Sequence, residues 1–294
     1  MITVRDLRKE YGDFVAVEGS TFEVAPGEVF GVVGPNGAGK TTTLKTLAGL
    51  VEPTAGTVEV AGRPPDEPAA RQQLGFLPEE SPLYEEMTAR SYLSFFADLY
   101  DIPTETAQKR IESTLDRLEL DHRDRPLGDV SKGMKRKVAI ARSLVNEPDV
   151  LVYDEPASGL DPLTTNYVVE FTRELADAGK TVVFSAHNLY HVESVCDRVA
   201  VMNEGRVVAK GSPAALREQY GTTEYRVFTS IPVDGSEETD RGHRVTVESM
   251  AAVDEVREQV TAAGGEVRDI RTIEASLERV FLDIADGSET EAGA

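Results

Sequence analysis

The residues best suited to chemistry are Gly34-Pro35-Asn36-Gly37-Ala38-Gly39-Lys40-Thr41-Thr42. They fit the spacing G-x-x-x-x-G-K-[ST] of a loop that cradles phosphates. Glycines let the backbone curl so that several N–H groups converge on phosphate oxygens, and a following helix N-terminus adds partial positive charge. In that arrangement Lys40 reaches the β- and γ-phosphates and the Thr41 hydroxyl ligates Mg²⁺. The flanks suit it: residues 27–33 read as a buried strand and residues 41–50 as a helix start. That context argues against a plain Gly-rich turn with a surface lysine. The chain is expected to bind a nucleoside triphosphate.

A second group lies about 110 residues downstream. Val150-Leu151-Val152-Tyr153-Asp154-Glu155-Pro156 is an apolar strand ending in two carboxylates. At a strand tip facing a phosphate loop, Asp154 supplies a further Mg²⁺ contact and Glu155 polarises the attacking water as general base. Between the two groups, Val130-Ser131-Lys132-Gly133-Met134-Lys135-Arg136-Lys137 opens a helix to about residue 146. Ser131 is its N-cap, and its first-turn amides are free to meet an anion. Taken alone, such a segment is more often a capped helix start than a ligand site.

The elements that must position these residues follow from periodicity. Residues 2–7, 20–24, 28–33 and 57–60 read as strands, then 74–77 as a short strand ended by Pro78. Helical spacing covers 88–100 and 105–120. Strand 150–153 precedes helix 162–178, strand 181–185 precedes helix 188–196, and strand 198–202 turns at Asn203-Glu204-Gly205 into 206–209. Strands alternating with helices imply a mostly parallel sheet covered on both faces. After Gly221 the pattern becomes strands 225–231 and 244–248, helix 251–263, strand 266–271 and helix 276–285. This is expected to be a small α+β appendage, with residues 286–294 as a disordered tail.

Composition narrows the partners. Against 31 basic residues stand 52 acidic ones, for a net charge of −21, which opposes a nucleic-acid surface. The acidity is spread along the chain, as suits a salt-adapted source in which dense salt screens self-repulsion. The lone Cys196 sits in an apolar pattern and is expected to be a buried structural thiol. No apolar run is long enough to cross a bilayer, and residues 1–5 lack a signal peptide's apolar core. The chain is therefore expected to be soluble and intracellular, reaching a membrane only through a partner.

Taken together, the order of motifs resembles the ATP-binding subunit of an ABC transporter. Gly34–Thr41 resembles the Walker A loop and 151–154 the Walker B strand; Ser131-Lys132-Gly133-Met134 resembles the signature usually written LSGGQ. Ser158-Gly159-Leu160-Asp161 matches the D-loop, His187 the switch histidine, Tyr11 the aromatic that stacks on adenine, and Glu79 the Q-loop position. The match spans about residues 1–215. Three departures stand out: Lys132 for the first signature glycine, Met134 for its glutamine, and Glu79 for the Q-loop glutamine. The S-K-G-M form resembles the subset that serves ABC-2-type exporters, as does Ser276-Leu277-Glu278-Arg279-Val280-Phe281-Leu282 near the end. Glu79 can still ligate Mg²⁺ but cannot donate an amide hydrogen bond.

The resemblance implies an α/β fold of the P-loop NTPase, ABC ATPase type. Its parts are a mixed sheet core, an antiparallel N-terminal β subdomain and a helical subdomain (about 80–146) within residues 1–221, followed by the α+β appendage at 222–285. It implies ATP and Mg²⁺ as ligands, with Glu155, His187, Lys40 and Glu79 catalytic and Thr41, Glu79 and Asp154 on the metal. Ser131 and Gly133 then cover ATP held by Gly34–Thr42 of a second copy, in a head-to-tail homodimer that also meets at Ser158 and Asp161. It further implies a separate integral membrane permease on whose inner face the subunit sits, gripped by residues 79–120 with Ser81-Pro82-Leu83-Tyr84 as a coupling surface. The alternative is a soluble ABC-type ATPase without a permease, of DNA repair, translation or iron–sulfur assembly; against it, the long coiled coil of repair members and the second nucleotide unit of translation members are not found in the sequence. A phosphate-loop GTPase or kinase leaves Ser131–Met134 unexplained. His187 and His191, four residues apart, lack the further ligands of a zinc site. The charge pattern predicts that the melting temperature rises from low to molar salt; equal stability in the two would refute salt adaptation.

Overall fold

The computed structural model describes residues 1–186, 189–221, 223–240, 242–273 and 279–281. The chain divides into two units, Met1–Pro213 and one beginning at Ala214. The division falls after the first residue of α8 (Pro213–Tyr220), a helix not foreseen from the sequence, where the expected boundary was residue 221.

In the first unit, β1 (Ile2–Tyr11) and β2 (Phe14–Val24) form an antiparallel hairpin, followed by β3 (Val29–Val33), α1 (Lys40–Leu47) and β4 (Ala55–Val60). Strand β4 pairs on the other edge of β1, giving the order β2-β1-β4. The sequence pattern stops the first two strands at Leu7 and Ser20, yet the hairpin runs on to Tyr11 and Phe14. Its pairing shifts register between Val4 and Leu7, Leu7 and Lys9, and Lys9 and Glu10. Each shift breaks the two-residue alternation from which a strand is read.

Next come α2 (Pro68–Gln72), β5 (Leu74–Leu77), α3 (Ala89–Leu99), α4 (Thr104–Arg117), α5 (Lys132–Leu144) and β6 (Val150–Tyr153). The unit closes with α6 (Pro162–Asp177), β7 (Thr181–Ala186), α7 (Leu189–Val195), β8 (Arg198–Asn203) and β9 (Arg206–Gly211). The main sheet has the order β5-β6-β7-β3-β8-β9, parallel except for the β8–β9 pair. Every residue of β3, β6 and β7 is buried, as expected of parallel strands covered on both faces. Ile2, Phe22, Leu44, Leu47, Val152 and Val183 belong to one core cluster that joins both sheets to α1. Within it the Phe22 and Phe30 rings stack at 5.3 Å.

The helical subdomain buries Tyr92 and Leu93 of α3, Ile111 and Leu115 of α4, and Val138 of α5. Thr88 and Ser91 form a reciprocal capping box at the start of α3. Glu112 accepts from both Arg90 and Arg123, tying α3 and α4 to the loop beyond them.

The second unit holds β10 (Glu224–Thr229), β11 (Glu237–Thr239), β12 (Gly242–Val247), α9 (Met250–Ala262) and β13 (Val267–Ile273). Its antiparallel sheet has the order β11-β12-β10-β13, and Val253, Val256 and Val260 of α9 pack with Val227 and Val245. Of the expected helix 276–285, residues 279–281 are helical and the rest lie outside the described residues, as does the expected tail 286–294. No helix among the described residues is long and apolar enough to cross a membrane.

Cys196 is buried beside Gly31, whose missing Cβ would come 2.9 Å from its Sγ. Burial pushes the thiol far above its ordinary range, with Asp197 and Glu28 adding to the effect. Native protein should therefore resist iodoacetamide and react only on unfolding; labelling at the rate of a free thiol would refute the burial.

Candidate nucleotide site

The loop between β3 and α1 can form only because two positions lack a Cβ. At Gly34 a Cβ would come 2.4 Å from the Met202 carbonyl oxygen. At Gly39, with φ 96°, it would come 2.4 Å from that of Ala16. Gly39 also caps α1 without any side-chain hydrogen bond, so the first-turn amides keep their donors for another partner. The Lys40 side chain folds back over the loop, and Nζ donates to the carbonyls of Gly34 (2.7 Å) and Pro35 (3.1 Å). Burial lowers its pKa, opposed by the nearby carboxylates of Glu155, Asp154 and Glu79.

Those carboxylates stand at the tips of the neighbouring strands. Asp154, just past β6, is 1% exposed, and its Oδ1 accepts from Thr41 Oγ1 (3.2 Å) and Ser185 Oγ (2.7 Å). Ser185 Oγ also accepts from the Glu155 amide at 2.9 Å. Glu155 itself holds φ 47°, a left-handed conformation that costs a residue with a side chain about 1–3 kcal/mol unless its surroundings enforce it. Glu79 follows β5, whose Leu77 carbonyl accepts from the Asp154 amide at 2.8 Å.

Together these groups border a cleft of about 450 Å³, lined by the phosphate-loop residues with Phe14, Ala16, Glu79 and Glu155. Pro35 forms the loop's outer turn, accepting from the Ala38 amide at 3.2 Å. The structure thus brings Asn36, Gly37, Gly39, Lys40, Thr41 and Thr42 to one place with Glu79, Asp154 and Glu155. Tyr11 is not among the lining residues. It pairs across the hairpin turn with Phe14, which does line the cleft and is 62% exposed; Lys9 Nζ lies 5.0 Å from the Tyr11 ring centre. Neither Phe14 nor Ser185 was identified from the sequence. Phe14 belongs to the bulged hairpin, and Ser185 reads as one more residue of an apolar strand.

Ser131, Gly133, Ser158 and Asp161 are not among the residues that line this cleft. Ser131 is exposed and caps α5 through Met134 N (3.2 Å). Gly133 sits where a Cβ would be 3.0 Å from the Thr164 side chain, and the Lys132 ammonium lies against Gly159. Asp161 caps α6, accepting from Leu163 N and Thr164 N at 3.1 Å, and the Thr164 hydrogen bonds hold its carboxyl below the usual range. Ser158 N donates to the Glu155 carbonyl at 3.1 Å. His187 lies outside the described residues.

Residues 17–158 match the family model for the ABC transporter. The Nod factor export ATP-binding protein I of Burkholderia orbicola is 42% identical over 220 residues, covering 74% of this chain and 72% of that protein. The chain belongs to the ABC transporter ATP-binding family. Among solved structures, an ATP-binding subunit of an ABC transporter superposes with TM-score 0.68 at 35% identity, covering 75% of this cassette and 93% of that chain. A dimeric bacterial ABC transporter cassette superposes with TM-score 0.66 at 25% identity, covering 72% and 98%. The ABC cassette is thus an ATP-binding ATPase.

An exposed aromatic face at the mouth of a phosphate site invites a base to stack. Truncating Phe14→Ala should weaken ATP binding by about 1–3 kcal/mol, roughly 5- to 150-fold, and Tyr11→Ala by less. Fluorescent-nucleotide titration of both variants decides between the rings, and a larger loss for Tyr11→Ala would assign the platform to Tyr11.

Proposed function

We propose that this ABC ATPase works with Mg²⁺ as a head-to-tail homodimer that powers export through a separate membrane permease. One observation carries the reading. Lys40, Thr41, Asp154, Glu155 and Glu79 converge on one cleft, while Ser131 and Gly133 are presented on another part of the same unit. A triphosphate lying on the loop therefore leaves its outer side for the α5 N-terminus of a second copy.

The donor set fits Mg²⁺. Thr41 Oγ1 and Asp154 Oδ1 are hard oxygen donors 3.2 Å apart, and Glu79 lines the same cleft. One ammonium faces three carboxylates there, so a divalent cation offsets charge that the triphosphate alone would worsen. When bound, Mg²⁺ orients the phosphates and draws off the charge that develops on them.

The protein's own groups do the rest. Lys40 turns from the loop carbonyls to the β- and γ-phosphates. Glu155 takes a proton from the water attacking the γ-phosphorus, and ADP departs as the bond to the β-phosphate oxygen breaks. His187 is assigned the alignment of that water by family resemblance. Release of the γ-phosphate removes the contact shared by two copies, which lets the dimer open.

For the permease, the segment after Glu79 leads to an aromatic cluster of Tyr84, Tyr92, Phe95 and Phe96. Tyr84 of this cluster is more than half exposed, as is Leu99 at the end of α3. An apolar patch on an otherwise highly acidic protein suits a partner's docking helix. Export is the direction supported by the name of the Burkholderia relative and by the S-K-G-M signature. The subunit would then sit at the inner face of the cell membrane through its permease.

Glu155→Gln should lower steady-state phosphate release by about 100-fold or more, while ATP binding persists and dimers accumulate on gel filtration. Near-normal turnover would sink the assignment of the base. Co-purification with a polytopic protein from native membranes is expected, and a cassette that copurifies with none would favour the permease-free reading.

A further inference from the structure

Arg136, on the second turn of α5, is 7% exposed. Main-chain carbonyls surround its guanidinium. Nε donates to Pro156 (2.7 Å), Nη1 to Pro78 (2.8 Å) and Glu79 (3.0 Å), and Nη2 to Glu155 (2.8 Å) and Asp154 (3.2 Å). A weaker sixth contact reaches Ser81 Oγ at 3.5 Å. A guanidinium has five N–H donors in a rigid plane, and here they meet five carbonyls. Burial pushes its pKa down to about 10, opposed by Tyr153, Asp154 and Glu79, so the charge is held in the interior against desolvation.

The carbonyl acceptors belong to two segments, Pro78–Glu79 beyond β5 and Asp154–Pro156 beyond β6. These segments carry Glu79 and Glu155 into the nucleotide cleft. The Glu155 backbone is left-handed at φ 47°, and it is held on both sides. Its amide donates to Ser185 Oγ at 2.9 Å, and its carbonyl accepts from Arg136 Nη2 and from the Ser158 amide. Without such ties a glutamate relaxes toward negative φ, which swings its side chain to a new direction.

We propose that Arg136 is a positioning residue for hydrolysis, clamping the Glu79 and Glu155 main chains in the register that aims both carboxylates at the γ-phosphate. It does not border the cleft and acts through those two residues. Its Cα lies on the helix that begins at Ser131, five residues and about 7.5 Å along the axis. Arg136 thus ties the signature helix to the backbone that carries Glu155. Lysine cannot replace it, because three donors on a single nitrogen do not span from Pro78 to Pro156.

The inference rests on Glu155 as the base, so the test runs Arg136→Lys and Arg136→Gln beside Glu155→Gln in the full chain. It measures kcat, the Kd for fluorescent ATP and the melting temperature. Both Arg136 variants should lose kcat, Gln by about 100-fold and Lys by less, while Kd stays within about threefold of wild type. Near-wild-type kcat in both, with Glu155→Gln inactive, would overturn this inference alone. Normal turnover in Glu155→Gln would overturn the base assignment beneath it. Losses of kcat, nucleotide affinity and melting temperature in step, or failure of both variants to fold, would make Arg136 a folding determinant and overturn the positioning role.

Discussion

The site depends on the parallel register of β5, β6, β7 and β3. Leu77 lies beside Tyr153, Tyr153 beside Phe184, and Val33 beside Ala186. Parallel strands end at a common edge, and in open α/β sheets ligands bind beyond that edge. One shared edge therefore delivers Glu79, Asp154, Glu155 and Ser185 to the mouth of the loop that follows β3. The side chains that meet there come from distant parts of the chain, as in the Thr41–Asp154 contact between residues 113 apart. A one-rung slip of β6 would carry Asp154 away from Thr41.

Electrostatics at this edge is poised for a ligand. Lys40 is buried and bonded to its own loop, with Glu155, Asp154 and Glu79 close enough to raise its pKa against the effect of burial. The buried Asp154 carboxylate accepts from two hydroxyls. Hydrogen bonds from neutral hydroxyls are exchanged at modest cost, which suits the proposed binding of a metal-bound triphosphate. The Glu155 peptide does not share that freedom, since Ser185, Ser158 and Arg136 hold it from three directions.

Much of this was legible in the sequence because it is local. The Gly34–Thr42 spacing, the apolar run 150–153 closed by two carboxylates, and the Ser131 cap each fit within a dozen residues. Each leaves a local mark in the chain: glycines where the loop must curl, an unbroken apolar run for a buried parallel strand, and a capping side chain for an orphan helix amide. Local patterns failed where structure departs from regular repeats. The bulged hairpin hid Phe14, the short helices α2 and α8 carry too few turns to show a period, and β11 is a three-residue strand inside a polar stretch.

By itself, then, the sequence determined that a phosphate loop, a carboxylate-tipped strand and a capped helix exist, and their order along the chain identified the family. Only the tertiary structure decided which of these groups meet. It joined Ser185 to Asp154 and Glu155, put Phe14 rather than Tyr11 on the cleft, and wrapped five carbonyls from two loops around Arg136. The reason is the reach of the interactions. Caps and turns are settled among near neighbours, whereas strand register and the satisfaction of a buried cation are settled between segments distant in the chain, once the core has closed over them.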